Sequence, residues 1–187
     1  MKKWLGSTYL KMIGWRLEGD FPSEVPKMVM IAAPHTSNWD FPITMAVFLK
    51  LGISIRFLAK KQLFKFPTGI IMRAFGGIPV DRSRKNNLVE DAANLLQKSE
   101  KMILLIPVEG TRSATKSWRS GFYYIAKQAK VPIALGFLDY HRKTAGFLPT
   151  FYPTGDYEAD LPVIQSFYKD IKGRHPERSA LYTAQEN

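Results

Sequence analysis

Met28-Val29-Met30-Ile31-Ala32-Ala33-Pro34-His35-Thr36-Ser37-Asn38-Trp39-Asp40 is the stretch on which the fold turns. Its first six residues form an unbroken apolar run of strand length, and the segment after it, Phe41 to Leu51, is apolar-rich and reads as a helix. A histidine and a carboxylate therefore stand on a strand-to-helix loop. In α/β proteins such loops present side chains to a crevice at the strand's end. Asp40 is a helix N-cap candidate, and the loop is long enough to fold His35 back to it. A hydrogen bond from one imidazole nitrogen to that carboxylate would fix the tautomer and leave the other nitrogen basic. The same two residues also suit a capped, solvated turn, so the rest of the chain has to decide between the two.

Outward from this loop, strands and helices alternate. Ile53 to Leu58 reads as a strand, and Ala59-Lys60-Lys61-Gln62-Leu63 follows it. Pro67 to Phe75 reads as a helix with proline in its first turn and Gly76-Gly77 as its stop. Ile78 to Val80 is extended and leads into Asp81-Arg82-Ser83-Arg84. Leu88 to Lys98 has helical periodicity, with Asn87 as a cap candidate. Met102 to Val108 is a third buried strand and delivers a second polar loop, Glu109-Gly110-Thr111-Arg112-Ser113. Gly121 to Lys130 is helical and Val131 to Leu138 is a strand. Further on, Thr144 to Phe151 reads as a strand, Leu161 to Lys172 as a surface helix, and Gly173 to Asn187 as a polar, frayed tail. This order predicts an α/β fold: a mixed, largely parallel sheet flanked by helices. There is no internal repeat or linker, so residues 1–187 read as one domain.

The N-terminal segment 1–17 reads as a short amphipathic helix. Trp4, Leu5, Tyr9, Leu10, Met12, Ile13, Trp15 and Leu17 make a broad apolar arc, and Lys3, Ser7 and Lys11 a narrow polar edge. Two destinations suit that arc equally: the headgroup region of a bilayer, or the domain's own core. Lys11 and Arg16 interrupt the run and no small-residue cleavage site follows, so it does not read as a signal peptide.

Composition narrows the chemistry. The chain has 187 residues and no cysteine, which excludes disulfides, thiolate zinc sites and a cysteine nucleophile. Only His35, His141 and His175 are available, so no metal site is expected. Lys and Arg number 27 against 16 Asp and Glu, a net charge of +11, which calls for an anionic partner. A basic nucleic-acid-binding module is one reading of that charge. However, no DNA- or RNA-binding signature accompanies it and the basic residues are scattered, so nucleic acid is not expected as a partner. No apolar run approaches the ~20 residues of a membrane-spanning helix, leaving soluble and surface-bound forms open. A Walker A pattern and a G-x-S-x-G nucleophile elbow are both absent.

Parallel strands bring their carboxyl ends to one edge, where the His35 loop, the Gly76 to Arg84 loop and the Glu109 to Arg112 loop would converge. Together they hold a base, its orienting carboxylate, several arginines and a second carboxylate. That set suits deprotonation of an alcohol beside a phosphate group. Singly, each residue has a plainer role: Arg82, Arg84 and Glu109 as surface charges, Gly76-Gly77 as a turn.

In order, these blocks resemble the glycerolipid acyltransferase family, typified by bacterial 1-acyl-sn-glycerol-3-phosphate acyltransferases. The family's first motif, His, four residues, then Asp, is matched by His35 to Asp40. Its Gly-rich block ending in arginine is matched by Gly76-Gly77-Ile78-Pro79-Val80-Asp81-Arg82. Its third block, usually Phe-Pro-Glu-Gly-Thr-Arg, is matched by Pro107-Val108-Glu109-Gly110-Thr111-Arg112, with Val108 where the family has proline. The proline-centred fourth block is matched by Val131-Pro132-Ile133. The resemblance runs from about Met28 to Leu138, and the segment before the first motif is shorter than in many relatives.

The resemblance implies acyl transfer from acyl-CoA or acyl carrier protein to a hydroxyl of a lysophospholipid such as 1-acyl-glycerol-3-phosphate, with no cofactor. His35 and Asp40 would be catalytic, His35 as general base. Arg82 and Arg112 would hold the acceptor's phosphate, with Lys60 a candidate for the same anionic group, and Glu109, Gly110 and Thr111 would form the rest of the acceptor site. Trp39, Phe41 and Phe75 would line an acyl groove or simply belong to the core. A different lipid or glycolipid acceptor on the same fold, and a non-catalytic membrane-surface protein, are the alternatives. The expected setting is cytoplasmic, peripheral on an anionic membrane surface.

Overall fold

The computed structural model describes residues 2–80 and 88–181. In chain order the elements are α1 (Lys2–Met12), β1 (Arg16–Glu18), β2 (Lys27–Ala33), α2 (Asp40–Leu51), β3 (Arg56–Lys60), α3 (Thr68–Ala74), β4 (Gly77–Val80), α4 (Leu88–Lys98), β5 (Met102–Pro107), α5 (Gly121–Ala129), β6 (Ile133–Asp139), β7 (Thr144–Phe151) and α6 (Tyr157–Ser166). The strands form one sheet in the order β1-β7-β6-β2-β5-β3-β4. Among the described residues only the β6–β7 pair is antiparallel. The largely parallel α/β architecture expected from the alternation is thus present.

Strand β2 lies at the centre, with Ile31 opposite Ile106 of β5 on one side and Leu135 of β6 on the other. It is buried on both faces because its apolar run is continuous. Val29, Ile31 and Ala33 enter a core with Leu96 of α4 and Phe122 and Ile125 of α5. Met28 and Met30 enter the opposite core with Leu10 of α1 and Ile43 and Val47 of α2. The connection from β2 runs through α2 to β3 over one face, whereas that from β5 runs through α5 to β6 over the other. The carboxyl ends of β2 and β5 therefore flank a topological switch point, where open α/β sheets leave a crevice.

Several boundaries differ from the sequence expectation. Helix α1 stops at Met12, and Arg16–Glu18 is a strand paired with Thr144–Gly146. Three residues are too few for alternation to register, so Trp15 and Leu17 read as a continuation of the helical arc. The α1 arc itself is divided. Gly6 and Leu10 are buried against α2, and a Cβ on Gly6 would lie 2.4 Å from the Ala46 carbonyl oxygen. Trp4, Leu5 and Met12 face outward.

Pairing of β3 begins at Arg56 because the Ile53 N–H still closes the end of α2 on the Phe48 carbonyl. Gly76 does end the α3 segment: its φ is 88°, and a Cβ there would meet the Ile55 carbonyl oxygen at 2.0 Å. Helix α6 starts earlier than read, at Tyr157, because the Asp156 carboxylate accepts the Glu158 and Ala159 N–H groups. Pro162 lies inside that helix rather than at its start. Asn87 lies outside the described residues.

Candidate active site

The His35 loop leaves the centre of the sheet at its carboxyl edge, and both carboxylate oxygens of Asp40 are engaged. Asp40 Oδ2 is 2.9 Å from His35 Nδ1 and accepts the Ser37 N–H at 3.0 Å. Oδ1 accepts the Tyr140 hydroxyl at 2.7 Å. Asp40 is not the N-cap that the sequence suggested. It is the first residue of α2, with Trp39 in the cap position, and its carboxylate is engaged by the loop and by Tyr140. A carboxylate only accepts, so His35 Nδ1 carries a hydrogen, and the free lone pair is on Nε2. Burial and the bond to Asp40 push the Tyr140 hydroxyl well above the ordinary phenol range, so Tyr140 stays a donor.

His35 and Asp40 border a cavity of about 640 Å³, within the usual span of small-molecule sites. Its walls are apolar, with Phe41, Phe57, Leu58, Leu63, Met72 and Leu105 among them. Its polar lining includes Lys60 at the end of β3 and Gly110, Thr111 and Arg112 after β5. The structure thus brings His35, Asp40, Lys60, Gly110, Thr111 and Arg112 to one cavity. Phe41 is a wall residue and also stacks edge-on with Phe75, which lies behind it. Strand β4 ends at Val80, opposite Lys60 on the same sheet edge, but Arg82 lies outside the described residues.

Glu109 departs from expectation. It is 1% exposed, is absent from the cavity lining, and accepts the backbone N–H of His35 on Oε2. It therefore fixes the histidine's backbone and does not reach an acceptor in the cavity. Oε1 has no hydrogen-bond partner among the described residues, although Ser179 and the Ala180 N–H lie near enough to favour the charged form. Burial outweighs them and the His35 N–H, and holds the carboxyl above its ordinary 4.5.

The folded protein thus keeps the Glu109 proton to higher pH than the unfolded chain does. This contribution to stability is complete below pH 4.5 and is lost as pH rises through the raised value. Glu109→Gln should melt with the parent near pH 4.5 and about 2–4 °C above it at neutral pH, measured by scanning fluorimetry across that window.

Three contributors escaped the sequence. Tyr140 follows β6 directly, so the rule that selects the carboxyl ends of parallel strands could have found it. The other two are in the segment read as a frayed tail. The His175 N–H donates to Thr36 Oγ1 at 3.2 Å, and the Arg174 guanidinium stands 5.6 Å from the Trp39 ring centre. Residues 173–175 are therefore packed onto the His35 loop, and Ala180 and Leu181 lie against the core, so this part of the segment is not frayed. No local pattern marks them, because these contacts use a backbone donor and a polar side chain. Among the described residues, no cluster of three histidines and carboxylates could hold a metal ion, and no helix is long and apolar enough to cross a membrane.

A carboxylate-bound histidine thus stands at the switch point of an open α/β sheet, beside a cavity with apolar walls, which is where α/β enzymes place their sites. The chain belongs to the acyltransferase family, whose sequence model, described as Acyltransferase, matches residues 17–134. It is an acyltransferase. A solved structure with the same fold is the 1-acyl-sn-glycerophosphate acyltransferase of Thermotoga maritima, with a TM-score of 0.58 and 15% identity over 88% of this chain and 74% of that one. No curated protein sequence gives a significant match.

Proposed function

We infer that the chain moves a fatty acyl group from an acyl-CoA or acyl carrier protein thioester to a hydroxyl of a lysophospholipid of the 1-acyl-glycerol-3-phosphate kind. The observation that carries this reading is the pairing of an oriented imidazole with a cavity that joins apolar walls to the cations Lys60 and Arg112. Such a cavity suits a molecule with an acyl tail and an anionic head. The Thermotoga protein of the same fold is named for a glycerophosphate acceptor, which supports the choice of acceptor class.

In this mechanism His35 Nε2 takes the proton from the acceptor hydroxyl, and Asp40 stabilises the imidazolium that forms. The alkoxide oxygen attacks the thioester carbonyl carbon. The tetrahedral intermediate collapses with cleavage of the C–S bond, and the leaving thiolate takes the proton back from Nε2. A thioester is already activated, so the protein contributes mainly a base, positioning and charge stabilisation. Glu109 acts behind the site by holding the His35 backbone, and Tyr140 by holding Asp40. Arg112 and Lys60 receive the phosphate. Peripheral contact with an anionic membrane would supply the acceptor.

The decisive experiment is an acceptor screen with purified protein and labelled acyl-CoA, using His35→Ala as the blank. Transfer to lysophospholipids that is absent from the blank supports the reading, and its absence for every lysophospholipid rejects it. Arg112→Ala should raise KM for a phosphorylated acceptor about tenfold with little change in kcat, as expected for an exposed, charge-assisted contact made in ground and transition states alike. An acceptor without phosphate should not register the change. An unchanged KM for the phosphorylated acceptor would move phosphate binding elsewhere.

A further inference from the structure

We propose that the lip of the cavity, residues 61–74, is a docking surface for an anionic lipid bilayer. Within it Leu63, Phe66, Ile70 and Ile71 are exposed to 48%, 86%, 65% and 54%. Phe66 is the most exposed of the large apolar side chains among the described residues and stands two positions before the start of α3, whose first two turns carry Ile70 and Ile71. Buried apolar positions in the same segment are few: Phe64 and Gly69 face inward, and Arg73 is turned back onto the Phe64 ring. Apolar side chains of this size gathered on one exposed segment mark an interaction surface.

Charge decides the occupant. From Phe41 to Val80 the sequence carries Lys50, Arg56, Lys60, Lys61, Lys65 and Arg73 and no Asp or Glu. Lys60, Lys61 and Lys65 are exposed and flank the apolar group. Lysines around inserted aromatic and aliphatic side chains fit the interface of a bilayer rich in anionic lipid, where each cation gains from the surface potential. An acidic carrier protein would also meet the lysines, but four large apolar side chains, one of them 86% exposed, exceed what a polar docking face calls for.

The patch is continuous with the site. Leu63, Thr68 and Met72 line the cavity, so the segment that would enter the headgroup layer also forms a wall of the chamber beside His35. A single-chain lipid could then pass from leaflet to cavity along one apolar surface. This role rests on the proposed lipid acceptor, but its test does not depend on activity. It also assigns docking to a segment other than α1, although the exposed Trp4, Leu5 and Met12 of α1 offer a rival patch.

The test is co-sedimentation of the purified protein with sucrose-loaded vesicles of phosphatidylcholine alone or mixed with phosphatidylglycerol. Binding to the mixed vesicles should exceed binding to the neutral ones, and should fall several-fold when salt is raised to about 0.5 M. The double variant Phe66→Asp with Ile70→Asp should lose at least about tenfold in vesicle affinity. Its far-UV spectrum and its turnover of a short-chain, monomeric acceptor should be unchanged. Undiminished binding by this variant, with loss instead in Trp4→Asp with Leu5→Asp, would overturn the proposal in favour of α1. Retention on immobilised acyl carrier protein without vesicle binding would overturn it in favour of a protein partner. Vesicle binding lost in the lip variant of a protein that acylates no lysophospholipid would reject the acceptor and leave the docking surface standing.

Discussion

His35→Ala should lower kcat for acyl transfer by about three orders of magnitude, the middle of the range for removing a positioned general base. The chain has no cysteine, and no serine lines the cavity among the described residues, so the proposed mechanism activates the alcohol where it stands. With the imidazole gone, the acceptor hydroxyl would have to surrender its proton to water, and only binding and charge stabilisation would remain. The fold should survive. Asp40 keeps the Ser37 N–H and the Tyr140 hydroxyl, and His35 itself is partly exposed, so the loss of one hydrogen bond costs about 1 kcal/mol, or about 2–4 °C in Tm. The measurement is transfer of labelled acyl chain from acyl-CoA to lysophosphatidate, with near-UV circular dichroism as the check on folding. Parent protein mixed with acyl-CoA alone should show no acyl adduct by mass spectrometry. Full activity of the alanine variant, or a stoichiometric adduct on the parent, would overturn the direct-attack mechanism.

What the sequence made legible was the sheet's centre and the loops that leave it. β2 and β6 are buried on both faces and β5 in part, so continuous apolar runs announced them, and the polar stretches that follow β2 and β5 contain the cavity residues His35, Thr111 and Arg112. The edge was harder to read. β1 has three residues, too short to show alternation, and it is held by pairing with β7 more than by its own composition. The site's supports were hidden for a related reason. Tyr140 reaches Asp40 across 100 residues of sequence, and Gly173 and His175 meet Thr36 from the far end of the chain. Polarity in residues 173–187 suggested a solvated tail, yet residues 173–175 pack on a loop that is itself polar. Thr36 and Ser37 are buried, and their partners must carry donors and acceptors. Glu109 shows the converse. Its motif drew attention to the right residue, but burial turned it from the cavity to the backbone of His35.

Asp40→Asn should cost about a hundredfold in kcat, and less than Asp40→Ala. In a serine-protease triad the amide replacement presents its NH2 to the imidazole, forces the wrong tautomer and costs about 10⁴ in kcat. The surroundings of Asp40 forbid that flip. The oxygen that faces His35 Nδ1 also accepts the Ser37 N–H, so an NH2 placed there would meet two donors. The amide oxygen is therefore pinned toward His35, and the NH2 falls where Oδ1 stood, opposite Tyr140. The Tyr140 hydroxyl can accept as well as donate, so it turns to receive that NH2. The tautomer and ring orientation survive, and what disappears is the negative charge that stabilises the imidazolium. Alanine at the same position removes the charge, the tautomer lock and the Ser37 contact together. Tyr140→Phe isolates the remaining part: it deletes one bond to Asp40 and should lower kcat only about fivefold, with KM unchanged. Combined with Asp40→Asn, Tyr140→Phe strands one amide hydrogen, so the double variant should fall below the product of the two single effects. A loss in Asp40→Asn equal to that in Asp40→Ala would show that the tautomer is not held by the Ser37 amide.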